Sequence, residues 1–474
     1  MSRLFGTDGI RGVANVDLRP TLAYALGRAT GRRLVGAGSS TSGASSSSAV
    51  PGGTGGAGSF GMGSTPASGG LVVGQDTRLS GDMFVAAITA GATSVGADVH
   101  QIGVVPTPAL AYLAREGPFV AGIMVSASHN PAEDNGLKVL DGDGLKLDDA
   151  LEDELEAMIW RADELPGAPP NELGRTIDAR DVVDRYVNHR LGLARAIDAR
   201  GLRVVVDTAN GSAFSVAPQI LAATGATVEV IHAAPDGRNI NAGCGATHPE
   251  SLAAAVRDRG ADVGFALDGD ADRCVAVAAG GEVVDGDQLL GVLALDRLAR
   301  DALPGGALVV SVLSNGGLQR AVEAAGGRIV RTPVGDKYIL DGMIVSGATL
   351  GGEKSGHVIV GEHTSSGDGI VTAMDVLRVM TARRTTLAEL ATEIPLLPQQ
   401  QRAVRVRHKD QWEGDHVLRA AIADAEGRLG DGGRVLVRPS GTEPVLRVMV
   451  EGGDAALVLE LADGIARLAE ERLH

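Results

Sequence analysis

Two short segments of the chain carry the residues best suited to chemistry. Residues 125–131 read Val-Ser-Ala-Ser-His-Asn-Pro and place the hydroxyl of Ser128 on a tight polar loop beside an imidazole. Residues 267–273 read Leu-Asp-Gly-Asp-Ala-Asp-Arg and offer three carboxylates at alternate positions after an apolar stretch. We expect extended backbone to direct these carboxylates to one side. Three convergent carboxylates repel one another unless a cation lies among them, and their hard oxygen atoms favour Mg²⁺ or Ca²⁺.

Each segment also has a plainer interpretation. Asp-rich turns are usually solvated surface, and a Ser-Ala-Ser stretch is more often a capped turn than a nucleophile. An EF-hand is excluded, because position six of the loop would be Arg273 instead of Gly and position twelve would be Ala279 instead of Glu. A hydrolase elbow is also excluded, because no Gly-x-Ser-x-Gly surrounds Ser126 or Ser128. A hydroxyl that carries a phosphoryl group and faces a carboxylate-bound Mg²⁺ would instead form a phosphoryl-transfer centre.

Two further segments, near the two ends of the chain, make the set more specific. Residues 5–12 read Phe-Gly-Thr-Asp-Gly-Ile-Arg-Gly, and residues 438–444 read Arg-Pro-Ser-Gly-Thr-Glu-Pro. The second has the elements of a phosphate cradle: a glycine for close backbone approach, two hydroxyls and charged guanidinium donors. A plain hairpin turn is the alternative. The candidate phosphate-binding residues are Arg438, Ser440, Gly441, Thr442 and Arg447.

These four segments resemble the motifs of the α-D-phosphohexomutases, and within that superfamily those of the bacterial phosphoglucosamine mutases. The resemblance extends to residues 334–338, 351–357 and 367–369, in the family's order and at compatible spacings. It implies an isomerase that interconverts glucosamine 6-phosphate and glucosamine 1-phosphate. The implied route uses a phosphoserine enzyme and a glucosamine 1,6-bisphosphate that serves as intermediate and activator. The product would feed UDP-N-acetylglucosamine and cell-wall synthesis.

By that resemblance Ser128 is the phosphoserine, and one of its phosphoryl oxygens helps to hold one Mg²⁺ per chain. The metal-binding set is then Ser128, Asp268, Asp270 and Asp272. Arg11 would supply further positive charge to the transferring group. Lys138 matches a general acid/base but is equally well interpreted as a phosphate counter-ion. His129 is a second acid/base or an orienting donor, and we favour the donor.

The resemblance also implies a sugar-recognition loop. The candidate sugar-binding residues of this loop are Glu353, Ser355 and His357, and Arg273 and Lys337 have the charge and the placement to line the same cleft. A surface ion pair is the alternative for Lys337. The loop departs from the family at Lys354, where phosphoglucosamine mutases commonly carry Gln, so the preference for an amino sugar over a plain hexose stays open.

Composition indicates a soluble enzyme of this kind. The net charge of −16 over 474 residues argues against nucleic acid or a membrane surface as a partner, and leaves a small sugar phosphate. Only two cysteines occur, in no ligand spacing, and there is no apolar signal core or long apolar run, so we expect a cytoplasmic location. A monomer or a homodimer is expected. Ser128 would be loaded by an activating kinase or by autophosphorylation.

The fold class predicted is α/β, with three similar mixed-sheet α/β domains and a smaller C-terminal α+β domain. Buried strands followed by polar turns and helices begin at Leu71, Val204 and Leu308, and three such patterns indicate three like-built domains. The arrangement around a central cleft is implied by the family. The predicted domains are 1–174 with the phosphoserine loop, 175–280 with the metal loop, 281–392 with the sugar loop, and 393–474 with the phosphate cradle.

Residues 36–70 do not fit this pattern. They consist almost wholly of Gly, Ser, Ala and Thr, and such a composition cannot bury enough apolar surface to offset the entropy of ordering. We therefore predict a disordered insert in the first domain. Residues 53–58 formally match Gly-x-Gly-x-x-Gly, but no strand precedes them and no helix pattern follows, so a nucleotide site is rejected.

Three rival functions differ in what they require of these residues. A phosphomannomutase or phosphoglucomutase would use the same residues on another sugar. A non-catalytic phosphosugar-binding protein would have no need of Ser128, Lys138 and all three aspartates together. A phosphatase of the haloacid dehalogenase type fails, because its motif requires Thr or Val where Asp272 stands.

Overall fold

The computed structural model of the protein describes residues 3–6, 8–35, 69–440 and 444–474. The predicted disordered insert at 36–70 lies outside the described residues except for Gly69 and Gly70. Within the described residues, no helix combines the length and apolar character needed to cross a bilayer. Short 3₁₀ turns cover Ala162–Glu164, Arg180–Val182, Pro304–Gly306, Lys409–Gly414 and Gly430–Gly432, and a π-helical turn covers Gly31–Val35.

The first sheet is mixed and contains six strands. The strands are β1 (Ile10–Val13), β2 (Leu71–Gln75), β3 (Val99–Val104), β4 (Ala121–Val125), β5 (Asp134–Asp141) and β6 (Thr176–Asp178). Its helices are α1 (Pro20–Thr30), α2 (Gly81–Thr93), α3 (Thr107–Glu116) and α4 (Asp149–Ile159). The order is β1-β5-β4-β2-β3-β6, with β5 antiparallel to β1 and β4 and the other pairs parallel. The β4–β5 connection contains Ser128.

The second sheet repeats this plan with five strands. They are β7 (Arg203–Asp207), β8 (Thr227–Ile231), β9 (Val263–Leu267), β10 (Cys274–Ala278) and β11 (Val283–Val284). The accompanying helices are α5 (Val183–Ala194), α6 (Ala217–Ala222) and α7 (Glu250–Arg259). The order is β11-β10-β9-β7-β8, and the antiparallel β9–β10 hairpin contains the three aspartates.

The third sheet has four strands, β12 (Ala307–Ser311), β13 (Arg328–Thr332), β14 (Leu350–Gly352) and β15 (Val358–Val360), in the order β13-β12-β14-β15. Its helices are α8 (Gly286–Ala299), α9 (Gly316–Ala324), α10 (Asp336–Ser346), α11 (Gly369–Arg383) and α12 (Leu387–Thr392). The antiparallel β14–β15 hairpin contains the predicted sugar loop. In all three sheets, therefore, a buried strand runs into an antiparallel hairpin, and the hairpin loop contains the motif.

The C-terminal part is smaller and entirely antiparallel. Its strands are β16 (Gln399–Arg405), β17 (Arg434–Pro439) and β18 (Val445–Glu451), and its helices are α13 (His416–Leu429) and α14 (Ala455–Leu473). The central strand is β18, and the β17–β18 hairpin contains the predicted phosphate cradle. Leu461 and Ile465 of α14 are buried in the core of this part, one helical turn apart on the same face of the helix.

These sheets confirm the predicted fold class. The central strands β9 and β12 are buried at every residue, because helices cover both faces of their sheets. Two edge strands lie just past the predicted domain boundaries at 174 and 280: β6 pairs with β3 of the first sheet, and β11 pairs with β10 of the second. The boundaries themselves stay a prediction.

Candidate active site

The loop after β4 holds Ser128 in a conformation that is costly for this residue. Ser128 is fully buried and has a φ of 52°, in the left-handed region, where a residue other than glycine is strained by about 1–3 kcal/mol. Its N–H donates to Oγ of Ser126 at 2.9 Å, and that hydroxyl donates to Oδ2 of Asp76 at 2.6 Å. Its carbonyl accepts from the guanidinium of Arg78 at 3.0 Å and from the amide of Asn241 at 2.9 Å. Groups from the first and second sheets together therefore fix the serine.

The side chain of Ser128 faces the aspartate loop. Its hydroxyl donates to Oδ2 of Asp268 at 2.5 Å, and one oxygen each of Asp268, Asp270 and Asp272 lies within 4.8 Å of the others. The expectation of extended backbone here was wrong, because the segment is a turn. The N–H of Ala271 donates to the Asp268 carbonyl at 3.0 Å, and Ala271 has a φ of 57°. Chain reversal, rather than strand alternation, brings the carboxylates together.

The surroundings of the three buried aspartates stabilise the charged form of each side chain to a different degree. Burial raises the pKa of Asp268, and the charges of Asp272 and Asp270 raise it further. Burial acts in the same direction on Asp270 and Asp272, but nearby positive charge, Lys138 foremost, outweighs it and lowers the pKa of both. The Oδ1 atoms of Asp270 and Asp272 are buried and make no hydrogen bond to any described residue. Buried anionic oxygens with unused lone pairs fit a hard divalent cation such as Mg²⁺.

Lys138 lies among these carboxylates and is almost fully buried. Its Nζ donates to Oδ2 of Asp270 at 2.8 Å and lies 3.5 Å from Oδ1 of Asp8 and 3.8 Å from Oδ2 of Asp272. Burial lowers the pKa of Lys138, but Asp270 and Asp272 outweigh it, so the pKa is raised. A charged lysine can serve as a phosphate counter-ion or as a proton donor, and it can accept a proton only after it has given one up.

Arg11 and Arg273 form the positively charged side of the site, and His129 lies close to both. Arg11 pairs with Asp8, and Nε of Arg273 lies 3.8 Å from the nearest carboxylate oxygen of the cluster. Nδ1 of His129 lies 3.4 Å from Oγ of Ser128. Burial, followed by the charges of Arg273 and Arg11, lowers the pKa of His129 to about 4. The imidazole is therefore neutral at pH 7, which favours an orienting role over acid catalysis.

In the β14–β15 loop, the carboxylate of Glu353 accepts a hydrogen bond, whereas the hydroxyl of Ser355 has no partner among the described residues. Oε1 of Glu353 accepts from the N–H of Gly335 at 3.0 Å, which ties the loop to the start of α10. The Ser355 hydroxyl is buried and has no hydrogen-bond partner in the described part of the chain, so it can bond to a ligand. Lys354, the residue that departs from the family pattern, donates to Oε1 of Gln399 on β16 at 3.1 Å.

His357 contacts the aspartate cluster. It is buried, its Nε2 accepts from the N–H of Gly367 at 3.0 Å, and its Nδ1 lies 3.6 Å from Oδ2 of Asp272. Since Nε2 accepts a hydrogen bond, Nδ1 carries the proton and faces the carboxylate. This geometry suits orientation of Asp272, and the predicted contact of His357 with the sugar stays a prediction.

Two lysines join the first and third sheets. Nζ of Lys146 donates to Oδ1 of Asp8 at 2.6 Å and to Oδ1 of Asp336 at 2.8 Å. Nζ of Lys337 donates to Oδ1 of Asp149 at 2.9 Å, which is the ion pair considered as its alternative role. Sequence reasoning missed Lys146, because its partners are remote in the chain and no local pattern marks it. A cavity of about 70 Å³ is lined by Lys138, Lys146, Asp272, Asp336, Lys337 and His357.

The β17–β18 hairpin places two arginines opposite each other. Arg438 is the direct cross-strand partner of Arg447, and burial, followed by the charge of Arg447, lowers the pKa of Arg438. Like charges at opposed positions are destabilising by themselves, so this pair suits a site that receives an anion. Ser440 is buried at the end of β17. Gly441 and Thr442, the other predicted cradle residues, lie outside the described residues.

Family models match four successive parts of the chain. The alpha/beta/alpha domains I, II and III of the phosphoglucomutase/phosphomannomutase family match residues 57–166, 184–281 and 285–396. The C-terminal domain of the same family matches residues 403–468. Together these matches extend over most of the chain.

Relatives that match over the full length of the chain indicate a narrower family than the domain models do. A phosphoglucosamine mutase of Symbiobacterium thermophilum is 46% identical over 484 residues, 100% of each protein. A phosphoglucosamine mutase of Moorella thermoacetica is 46% identical over 470 residues, 99% of each protein. One of Thermobifida fusca is 45% identical over 474 residues, 100% of this chain and 99% of the relative.

Solved structures agree with this assignment. The crystal structure of a phosphoglucomutase/phosphomannomutase family protein from Burkholderia thailandensis has a TM-score of 0.79 at 26% identity, covering 99% of this chain and 98% of that one. Aspergillus fumigatus N-acetylphosphoglucosamine mutase, in complex with GlcNAc-6P and magnesium, has a TM-score of 0.64 at 18% identity, covering 99% and 96%, and shows the shared fold alone. The chain therefore belongs to the phosphoglucosamine mutase family of phosphohexomutase isomerases.

Proposed function

We propose that the protein interconverts glucosamine 6-phosphate and glucosamine 1-phosphate, with Ser128 as the residue that carries the phosphoryl group. The observation that supports this most directly is the 2.5 Å contact between the Ser128 hydroxyl and Asp268, within a buried cluster of three carboxylates. The full-length similarity to phosphoglucosamine mutases supports the choice of reaction.

The reaction has two balanced half-reactions. Phosphorylated Ser128 gives its phosphoryl group to the free hydroxyl of a sugar monophosphate, so the serine oxygen gains a proton and the sugar becomes a 1,6-bisphosphate. After the bisphosphate turns around, the serine takes the other phosphoryl group and the isomeric monophosphate leaves. Phosphate monoesters are very slow to cleave unaided, so positioning and charge must provide most of the acceleration.

The position of each residue in the site indicates its role in the reaction. Asp268, Asp270, Asp272 and a phosphoserine oxygen would hold one Mg²⁺, which neutralises charge on the transferring group when it is bound. Arg11 and Arg273 would add positive charge beside it. We assign Lys138 as the group that relays the proton: its ammonium gives a proton to the serine oxygen, and the resulting amine takes up the proton that the sugar hydroxyl releases. The same relay runs in reverse in the second half-reaction, and His129 would be an orienting group.

Recognition of the substrate would involve two other loops. Glu353 and Ser355 would contact sugar hydroxyls, with His357 and Lys337 beside them. Arg438, Ser440, Gly441, Thr442 and Arg447 would bind whichever phosphate is remote from the serine. Because one substrate must be held in two orientations, a mobile C-terminal domain suits this role.

A phosphomannomutase or phosphoglucomutase is the second candidate. It would use the same serine, metal and cradle, and the Lys354 departure in the sugar loop is the observation that keeps it in view. Lys354 contacts Gln399 instead of the loop's interior, which favours an unaltered sugar preference.

A competition assay tests the sugar assignment. Equal concentrations of the 6-phosphates of glucosamine, glucose and mannose are incubated with Mg²⁺ and the matching 1,6-bisphosphate, and each 1-phosphate is followed by phosphorus NMR. We expect kcat/KM for the glucosamine substrate to exceed the others by more than about tenfold, as one well-placed polar contact allows. Equal or better turnover of glucose or mannose phosphates would replace the proposal with the second candidate.

The location, the oligomeric state, the domain boundaries and the first phosphorylation of Ser128 are also proposals. We infer a cytoplasmic enzyme that acts as a monomer or a homodimer, with the domain boundaries predicted from the sequence. Ser128 would be loaded first by a kinase, by autophosphorylation or by the bisphosphate itself. Intact-mass measurement of the protein as purified distinguishes a loaded from an unloaded serine.

A further inference from the structure

A second group of metal-ligating side chains lies at the carboxyl ends of β7 and β8, apart from the aspartate loop. The group consists of Asp207, His232 and Cys244, whose donor atoms all lie within 4.8 Å of one another. Asp207 ends β7, His232 directly follows β8, and Cys244 belongs to the loop before α7. Three separate segments therefore bring together one carboxylate, one imidazole and one thiol.

The ligand atoms of these three side chains lie close together, but Nδ1 of the imidazole makes no hydrogen bond to the other two within the described residues. Nδ1 of His232 is buried and lies 3.0 Å from Oδ2 of Asp207, yet it makes no well-formed hydrogen bond to any residue in the described part of the chain. Cys244 is fully buried, and its Sγ accepts a long hydrogen bond from the Asn210 amide at 4.0 Å. Two ligands of a tetrahedral zinc ion lie about 3.3 Å apart, which is close to the nitrogen–oxygen separation found here.

We propose that Asp207, His232 and Cys244 form a second cation site, selective for a borderline transition-metal ion such as Zn²⁺. A thiolate and an imidazole favour Zn²⁺ over Mg²⁺, whereas the all-oxygen aspartate loop has the opposite preference. The side chain of His232 is about one-third exposed, at 33%, which gives an ion and a water ligand access from solvent. The proposal is independent of the sugar that the enzyme uses.

The site would brace the phosphoserine loop. The segment between His232 and Cys244 includes Asn241, whose amide donates to the carbonyls of Ser128 at 2.9 Å and Asn130 at 3.0 Å. On the other side of Cys244, the N–H of Ala246 donates to the carbonyl of Leu267, the residue before the aspartate turn. An ion bound to Cys244 would thus fix a loop that contacts both halves of the catalytic centre.

Cobalt substitution tests the site by a signal that does not depend on activity. The purified protein is stripped with a chelator, saturated with Mg²⁺ to occupy oxygen-ligand sites, and titrated with Co²⁺ under reducing conditions. We expect an intense near-ultraviolet thiolate-to-cobalt band that saturates at one Co²⁺ per chain and is abolished by an equivalent of Zn²⁺, which binds more tightly. The aspartate loop contains no sulfur and cannot produce this band.

Variants assign the band to its ligands. Cys244→Ser should abolish it, whereas Cys274→Ser, the matched change at the other buried thiol, should retain it. His232→Gln keeps a polar side chain at this one-third exposed position, and should weaken Co²⁺ binding by more than about tenfold if the imidazole is a ligand. Absence of the band in the unmodified protein, or its persistence in Cys244→Ser, would overturn the proposal. Unchanged Co²⁺ affinity in His232→Gln would do the same, so the test does not depend on one variant folding.

Discussion

The hydroxyl of Ser128 donates a hydrogen bond to Oδ2 of Asp268 at 2.5 Å, although the two residues are 140 positions apart in the chain. A phosphoryl group on Ser128 would bring negative charge directly against this buried carboxylate. Such a contact is strongly unfavourable unless a cation lies between the two groups. The serine and the aspartate loop therefore form one functional unit, in which loading of the serine and binding of the metal should depend on each other.

Ser128→Ala should abolish mutase turnover, because the phosphoryl carrier is lost. The protein should remain folded, with a small fall in melting temperature, because the buried carboxylate of Asp268 loses one hydrogen bond. Intact-mass analysis after incubation with glucosamine 1,6-bisphosphate should show one added phosphoryl unit in the unmodified protein and none in the variant. The control is Ser126→Ala: if the added mass disappears there but persists in Ser128→Ala, the assignment of the carrier is wrong.

Asp270→Asn should weaken Mg²⁺ binding and slow phosphoryl transfer by orders of magnitude. The change keeps the shape of the side chain but removes one of three anionic ligands. Calorimetric titration with Mg²⁺ measures the affinity, and chelator followed by Mg²⁺ should stop and restore the unmodified enzyme. Full activity in metal-free buffer would exclude a catalytic metal at these aspartates.

The motifs could be predicted from the sequence because each is contiguous and lies directly after an apolar strand. The strand starts proposed at Leu71, Val204 and Leu308 fall in β2, β7 and β12, at the first or second residue of each. The local geometry of the aspartate loop was predicted less well. The left-handed residue of this turn is Ala271, a residue type that rarely adopts that conformation, so a simple alternation of polar and apolar positions does not reveal the turn.

Contacts between separate domains could not be predicted in this way. Asn241 supports the carbonyl of Ser128, and Lys146 joins Asp8 to Asp336, through packing that no local pattern encodes. Composition and periodicity specify the strands and helices, but the relative placement of three like-built units decides which loops meet.

Lys146→Met should raise KM for the sugar phosphate by about tenfold, given roughly 1.5–3 kcal/mol for a hydrogen bond to a charged group. The substitution leaves the carboxylates of Asp8 and Asp336 without the cation that joins the first and third sheets. The control is Asp149→Asn, which breaks the pair with Lys337 but leaves that lysine in place. Asp149 is 63% exposed, so this pair should contribute much less. Steady-state kinetics compare the variants, and recovery in Lys146→Arg would assign the effect to charge. Equal losses in Lys146→Met and Asp149→Asn would contradict it.

Asp141 should make stability fall as the pH rises. Burial raises the pKa of Asp141 to about 6, against hydrogen bonds from the N–H groups of Leu145 and Asp143 that lower it. Because the folded state binds the proton more tightly than the unfolded state, this contribution is complete below about pH 4 and is lost as the pH passes 6. Asp141→Asn keeps an oxygen acceptor but cannot ionise. Its melting temperature, relative to the unmodified protein, should therefore rise between pH 4 and pH 8, and a pH-independent difference would refute the assignment.

Arg438→Ala should separate binding of the remote phosphate from transfer at the serine. Loss of one charged donor corresponds to roughly 1.5–3 kcal/mol, so KM should rise by about ten- to a hundredfold. More bisphosphate should also escape before it turns around, which would lengthen the lag in turnover and increase the requirement for added bisphosphate. Phosphorylation of Ser128 by bisphosphate should survive in part, because the metal site is untouched. If KM, the lag and the bisphosphate requirement all matched the unmodified enzyme, the β17–β18 loop would be only a hairpin turn, and the remote phosphate would have to be bound elsewhere.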